Sequence, residues 1–260
     1  MHKINNEPLD LKRRFSGVEN LYGNKAIDCF MQAHIIVIGI GGVGSWVVEA
    51  LARNAIGQLT LIDMDVVSES NINRQLPALS STIGRNKIDV MAKRINEINP
   101  ACVTHLIDDF VNEDNIAEMI NASADFVIDC IDNSRVKAAL IAYCKRQKIK
   151  IITIGGAGGQ TDPTLIKTAD LSRTEHDPLL SKTRKLLRQN YGFSCNTKRR
   201  FAIPCVYSTE HLKRSPQSTD NIGLNCSGGL GSSVMVTSSF GFIAVSLVLK
   251  RLLNNNARFS

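Results

Sequence analysis

Gly39, Gly41 and Gly44 stand in G-x-G-x-x-G spacing, with Gly42 between them, inside "HIIVIGIGGVGSWVVEALARNAIGQLTLIDMD" (residues 34–65). An apolar run precedes the glycines and a helical pattern follows them. In that setting glycines permit a tight turn, let the backbone approach a phosphate and let a helix pack closely on a strand. The helix N-terminus then offers free N–H groups to the anion. Asp63 ends the next apolar run, about 20 residues on, where a carboxylate takes ribose hydroxyls. The chemistry is nucleotide binding. The glycine motif alone serves NAD and ATP equally.

Charges further along favour one of the two. "DMDVVSESNINRQLPALSSTIGRNKIDVMAKRINEINP" sets Asp65, Asn71, Arg74 and Lys87 just beyond the strand that ends on Asp63. A dehydrogenase has little use for cations there. An adenylating enzyme needs them against charge on the α-phosphate and the departing pyrophosphate. "DFVIDCIDNSRVKAAL" ends another strand with Asp129 and Asp132, and a carboxylate at that place suits Mg²⁺ bridging phosphates. Singly, each residue also reads as a surface charge or helix cap, Asp132 as an N-cap above all. Together, at strand C-termini where open α/β sheets bind ligands, they favour ATP–Mg²⁺ over NAD.

The elements that must position these residues follow from periodicity. Strand-like runs lie at 34–39, 59–63, 103–108, 125–129 and 149–155, with helix-length segments at 42–54, 84–98, 113–121 and 133–147 between them. Alternating apolar strands and helices predict a Rossmann-like α/β fold, a mostly parallel sheet with helices on both faces. "EINP" at 97–100 closes its helix, because the residue before proline avoids the α region. After "GGAGGQTDP" (155–163) the pattern changes to a short strand, a basic helix, loops and an apolar terminal segment. The division predicted is an ATP-binding domain over 1–172, with an N-terminal arm at 1–33, and a smaller C-terminal portion over 173–260.

The chain nets +7, and residues 181–214 hold nine basic side chains against one acid, Glu210. They are Lys182, Arg184, Lys185, Arg188, Lys198, Arg199, Arg200, Lys213 and Arg214. A solvated helix face is the plain reading; such concentration favours a polyanionic partner, most simply RNA or DNA. The seven cysteines are scattered, without C-x-x-C spacing, which argues against a disulfide framework and a structural zinc. "MHKINNEPLDLKRRFSG" has no apolar core of a signal peptide, so a reduced cytoplasmic setting is expected. Gly228 to Leu249 carries no charge and is long enough to span a bilayer. Its Gly, Ser and Thr content fits a buried terminal helix with its approach loop, and no stable membrane insertion is expected.

"GIGGVGSW", "LIDMDVV", "NINRQ", "GRNKIDVMAKRINEINP" and "IDCIDN" resemble the ubiquitin-activating-enzyme superfamily, which includes the bacterial activators of the sulfur carriers ThiS and MoaD. "RRFSGVENLYG", "KAALIAYCKRQKI", "GGAGGQTDPT" and "NCSGGLGSSVMVTSSFGFIAVS" are similar to its tRNA threonylcarbamoyladenosine dehydratases, from about residue 13 to 250. That resemblance implies ATP-dependent cyclisation of a threonylcarbamoyl group on an adenosine beside the tRNA anticodon, through a carboxyl adenylate. It implies that Gly39, Gly41, Gly42 and Gly44 hold phosphate, Asp63 the ribose, and Asn71, Arg74 and Lys87 the phosphates, with Asp65 also in the ATP site. Asp129 and Asp132 would line the same site, Asp132 with the metal. Arg14 matches an arginine sent into a neighbouring subunit's site, implying a homodimer. With tRNA as the substrate, the charge concentration noted above makes Lys182, Arg184, Lys185, Arg188, Lys198, Arg199 and Arg200 the residues expected to face it. Cys226 matches a cysteine of the dehydratase pattern, either a reactive thiol or a buried small residue. A cysteine desulfurase or sulfur-acceptor system is a further partner implied by the resemblance. The competing readings are an activator of a ubiquitin-like sulfur carrier, an NAD-dependent oxidoreductase and a non-catalytic RNA-binding protein; the missing C-x-x-C pairs argue against the first.

Overall fold

The computed structural model describes residues 9–120, 123–213 and 230–256; Arg214 and Cys226 lie outside them. Two helices, α1 (Leu11–Tyr22) and α2 (Asn24–Gln32), occupy what the sequence suggests as an arm. Then follow β1 (His34–Ile38), α3 (Gly44–Arg53), β2 (Gln58–Ile62), α4 (Lys87–Ile98) and β3 (Val103–Ile107). Next come α5 (Ile116–Met119), β4 (Phe126–Asp129), α6 (Ser134–Arg146) and β5 (Ile151–Ile154). The chain closes with β6 (Ile166–Asp170), α7 (Pro178–Asn190), β7 (Pro204–Ser208) and α8 (Val234–Asn256).

The strands form one sheet in the order β3-β2-β1-β4-β5-β7-β6. Every pairing is parallel except β6 with β7. The α/β class expected from the alternation is what the chain adopts. The chain steps outward from β1 through β2 to β3, then returns so that β4 pairs with the other side of β1. Connections therefore leave the C-terminal ends of β1 and β4 in opposite directions, and a crevice opens between them.

The pleat sorts the core into two layers. Ile35, Val37, Leu59, Leu61 and Ile128 face one side, with apolar residues of α2, α3, α4 and α8 packed on them. Ile36, Ile38, Ile62 and Val127 face the other, under α6 and α7. Strand β1 is buried at all five positions, and from Ile35 to Ile38 it is continuously apolar because both of its faces are covered. The segment suspected as membrane-long is α8. Val234–Asn254 is long and apolar enough to cross a bilayer, and half of it is buried inside the fold. Val236, Phe240, Ala244 and Val248 from this helix lie in the first layer of the core.

Candidate functional site

Strand β1 delivers the chain into its glycine turn at the crevice. Gly39 has φ +84°, and a Cβ there would sit 3.1 Å from the Cys130 carbonyl oxygen, so only glycine lets the two loops meet. A Cβ on Gly44 would overlap the Gly39 carbonyl oxygen. Helix α3 starts at Gly44, and its N-cap, Val43, makes no side-chain cap bond. The Ser45, Trp46 and Val47 N–H groups donate to the Gly41 and Val43 carbonyls, so it is the backbone of the glycine turn at the head of the helix that is placed to meet an anion.

Asp63, just past β2, binds this turn directly. Its Oδ2 accepts the Ile40 N–H at 2.6 Å and its Oδ1 accepts the Asp65 N–H at 2.8 Å. Burial pushes its carboxyl up, an effect the neighbouring Lys87 charge opposes. Lys87 opens α4; it is buried, and its ammonium lies 2.7 Å from the exposed Asp65 carboxylate. Asn71 is buried, and its Oδ1 accepts the Ser68 N–H at 3.1 Å in a reciprocal cap. The Arg74 guanidinium donates to the Ser70 carbonyl at 2.8 Å and to Asn73 Oδ1 at 3.0 Å. Its backbone carbonyl accepts Trp46 Nε1 of α3 at 3.0 Å, which ties this loop to the glycine turn. Arg74, Glu69, Asn73, Leu230 and Ser232 line an open cavity of about 480 Å³.

The fold thus gathers Gly39, Gly41, Gly42, Gly44, Asp63, Asp65, Asn71, Arg74 and Lys87 at the C-terminal ends of β1 and β2. Across the crevice the two aspartates after β4 part ways. Asp132 is exposed, and Asn133 rather than Asp132 caps α6, accepting the Arg135 and Val136 N–H groups at 3.0 and 3.3 Å. Asp129 departs from the nucleotide-facing position expected of it. It is fully buried and pairs with Lys137 of α6 at 2.7 Å. The reason is parity: Asp129 shares a sheet face with Val127, and that face lies under α6. The same alternation in "FVID" was the signal available in the sequence.

Two further residues enter the site unanticipated. Gln75, from the "NINRQ" motif, is buried beside Gly41 with its Oε1 unpaired. Lys137 was hidden inside a helical pattern. Among the described residues no group of three or more His, Cys, Asp or Glu forms a metal cage. Mg²⁺ that accompanies a nucleotide is commonly held by one carboxylate and phosphate oxygens. Asp132, exposed and unused as a cap, fits that donor set.

Arg14 is not brought to this crevice within its own chain. Its guanidinium donates to the Glu97 and Ile98 carbonyls at 2.7 and 3.0 Å. Those carbonyls end α4, whereas Lys87 begins it, and the helix separates the two ends by about 17 Å. The basic residues also divide. Arg184 is half-buried and donates to Thr174 Oγ1, and the Arg188 guanidinium lies 5.3 Å from the centre of the Phe201 ring. Lys182, Lys185, Lys198, Arg199 and Arg200 are exposed. The last three precede β7, whose parallel pairing with β5 puts them at the N-terminal end of the strands. Lys145, in the last turn of α6, donates to the Phe201 carbonyl at 2.6 Å and confirms that placement. This cluster therefore lies at the opposite end of the sheet from the glycine turn.

The architecture and crevice have counterparts among known proteins. A family model described as the ThiF family matches residues 16–259. The chain belongs to the ThiF family. Within it, the chain is 54% identical over 250 residues to the tRNA threonylcarbamoyladenosine dehydratase of Haemophilus influenzae, covering 95% of each protein. A solved structure of the Escherichia coli tRNA N6-threonylcarbamoyladenosine dehydratase, TcdA, in complex with ATP superposes with a TM-score of 0.89. That pair is 48% identical, over 96% of this chain and 97% of the other. The molybdopterin-synthase adenylyltransferase of Salmonella typhimurium is a more limited match, 32% identical over 48% of this chain and 50% of that protein. In this ThiF-family chain the likeness to these two dehydratases runs nearly end to end, whereas the likeness to that adenylyltransferase covers about half.

Proposed function

We propose that this chain is an ATP-dependent tRNA threonylcarbamoyladenosine dehydratase, acting through a carboxyl adenylate. The observation that carries the reading is a glycine turn at the sheet's switch point, in a chain that matches dehydratases over almost its whole length. A free carboxylate resists substitution because its leaving group would be oxide. Its oxygen attacks the α-phosphorus of ATP and displaces pyrophosphate, giving an acyl adenylate. The carbamoyl group of the same side chain then attacks the acyl carbon, expels AMP and loses a proton. Ring closure draws on the high effective concentration of two groups on one molecule. The net change in the nucleoside is loss of one water.

The chain's own residues divide this work. The backbone from Gly39 to Gly44, at the head of α3, takes phosphate, and Asp63, which already orders the glycine turn, has lone pairs left for ribose hydroxyls. Asn71, Arg74 and Lys87 meet the phosphates, where fixed cations favour the charge that develops on the departing pyrophosphate. Asp132 would hold Mg²⁺, which supplies Lewis-acid neutralisation across the phosphates when bound. Arg14 faces away from its own crevice and would complete that of a second copy in a homodimer. Residues 1–172 would then serve ATP, and the exposed cations of 173–260 would serve tRNA. The cytoplasm, where thiols stay reduced and tRNA is modified, is the compartment we assign. The test is mass spectrometry of nucleosides from tRNA incubated with purified protein and ATP. Loss of one water from threonylcarbamoyladenosine, with AMP and pyrophosphate released, is the expected result; unchanged nucleoside overturns the reading.

A further inference from the structure

Lys137 and Asp129 are both fully buried, and the roles assigned above leave them without a part. The Lys137 ammonium donates to Asp129 Oδ2 at 2.7 Å, to the Asp129 carbonyl at 3.3 Å and to Thr153 Oγ1 at 3.2 Å. Thr153 Oγ1 donates in turn to Asp129 Oδ2 at 2.6 Å. The other carboxylate oxygen, Oδ1, accepts the Ile131 N–H at 3.1 Å. Burying such a pair costs desolvation that its attraction often only offsets, so a hydrophobic pair of similar volume stabilises a fold as well or better. Stability alone does not account for it.

What an apolar pair cannot do is hold backbone. The cluster grips the Asp129 carbonyl and the Ile131 N–H, on either side of Cys130, where the chain leaves β4. That turn is a wall of the crevice. The Cys130 N–H donates to the Ile38 carbonyl at 2.9 Å, and the Cys130 carbonyl oxygen abuts Gly39. Asp132 and the α6 cap, Asn133, follow directly. From the neighbouring side, Asp177 accepts the Gly156 N–H at 2.9 Å and so orders the loop after β5.

We propose that Lys137 and Asp129 are positioning residues, locking the 130–133 turn against the glycine turn so that Asp132 and the phosphate-binding backbone stand in fixed register. The proposal rests on reading the crevice as the ATP site.

Two double variants separate positioning from packing. In Asp129→Asn with Lys137→Met the charges are gone, but the amide oxygen still accepts the Ile131 N–H and its nitrogen can pair with Thr153. In Asp129→Leu with Lys137→Met the volume is kept and the anchor is lost. Thermal unfolding, ATP titration calorimetry without tRNA, and kcat and KM for ATP are measured on both. The asparagine variant is expected to unfold near the wild-type temperature, and the leucine variant, with the Thr153 hydroxyl and the Ile131 N–H left unpaired, somewhat below it while still folding. The asparagine variant, which loses only the Lys137 hold on the Asp129 carbonyl, is expected to fall about tenfold in kcat, while the leucine variant, which loses both holds on the turn, falls about 100-fold, as displacements near 1 Å in reacting geometry do. Equal kcat and equal ATP affinity in the two folded variants overturn the proposal. Should the leucine variant not fold, Asp129→Glu decides, because it keeps the charge and displaces the anchor. A fall in kcat then supports positioning, and wild-type kcat overturns it. A wild type that does not bind ATP would instead sink the reading of the crevice, so the two failures are distinguishable.

Discussion

Lys87 enters the crevice from the first turn of α4, where its ammonium already has one partner in Asp65. Removing it leaves the exposed Asp65 carboxylate unpaired and takes a favourable charge from buried Asp63, whose two backbone hydrogen bonds remain, so the fold should tolerate Lys87→Ala at a modest cost in stability. Activity should not. If the ammonium meets charge that develops on the phosphates, kcat for cyclisation falls by about 100-fold or more, while tRNA affinity stays unchanged. Parallel losses of turnover and tRNA binding would contradict that assignment. Glu210 offers a residue-scale test of stability against pH. The Asp162 N–H, then Lys213 and Thr161, hold its carboxyl down from the ordinary 4.5 to about 2. A depressed folded-state value means that its contribution is complete above about pH 5 and is lost as pH falls toward 2. The difference in Tm between wild type and Glu210→Gln is expected to be constant from pH 6 to 8, then to shrink below pH 4.5. A difference independent of pH down to 2.5 would show that the charge contributes nothing.

At the scale of elements, the position of the loop before β7 sharpens the RNA reading. Lys198, Arg199 and Arg200 are exposed beyond the last turns of α6 and α7, a helix length or more from the glycine turn. A Debye length of about 8 Å leaves them electrostatically remote from bound ATP. Reversing Arg199 and Arg200 to Glu should therefore weaken tRNA binding severely and flatten its salt slope by roughly two units, while ATP affinity holds. Filter binding across a salt series beside ATP titration checks both halves; unchanged tRNA affinity returns the loop to an ordinary solvated surface. Helix α6 provides a purely structural case. Lys148 follows its C-cap with φ +60°, and Ile149 donates back to the Cys144 carbonyl at 2.8 Å. That left-handed position suits glycine. Lys148→Gly is expected to stabilise by about 1 kcal/mol, raising Tm by about 2–4 °C with no change in turnover.

For the whole molecule, the outstanding relation is between the N-terminal helix and a second copy. Arg14 lies on α1 and caps the far end of α4, so one chain does not bring it near its own Lys87. If it serves a neighbour's crevice instead, Arg14→Ala and Lys87→Ala proteins are each nearly inactive. After subunit exchange, half of the dimers are mixed and each mixed dimer holds one intact site. An equimolar mixture should then regain about one quarter of wild-type activity in a two-fold assembly. No recovery, with exchange verified by size and mass, would confine Arg14 to capping α4.

Local pattern settles much of this protein. Five strands and the helices between them were legible because continuous apolar runs, glycine turns and the proline at 100 act within a few residues of themselves. The glycine turn, Asp63, Asn71, Arg74 and Lys87 were legible because their motif spacing is itself local. Elsewhere the periodicity was weaker. Helices α1 and α2 passed as an arm, and the segment at 113–121 shrank to the single turn of α5. Strand β7, five residues long, owes its existence to β5 and β6, partners distant in sequence that no local window contains. The same holds for charge. Asp129 and Asp132 are three residues apart and chemically equal, yet the sheet turns one under α6 to meet Lys137 and leaves the other at the crevice mouth. Residue types and short spacings determined which nucleotide chemistry the chain is equipped for. Only the tertiary structure decided which carboxylate faces solvent, where the basic loop lies and which way Arg14 points, because each depends on what packs against it.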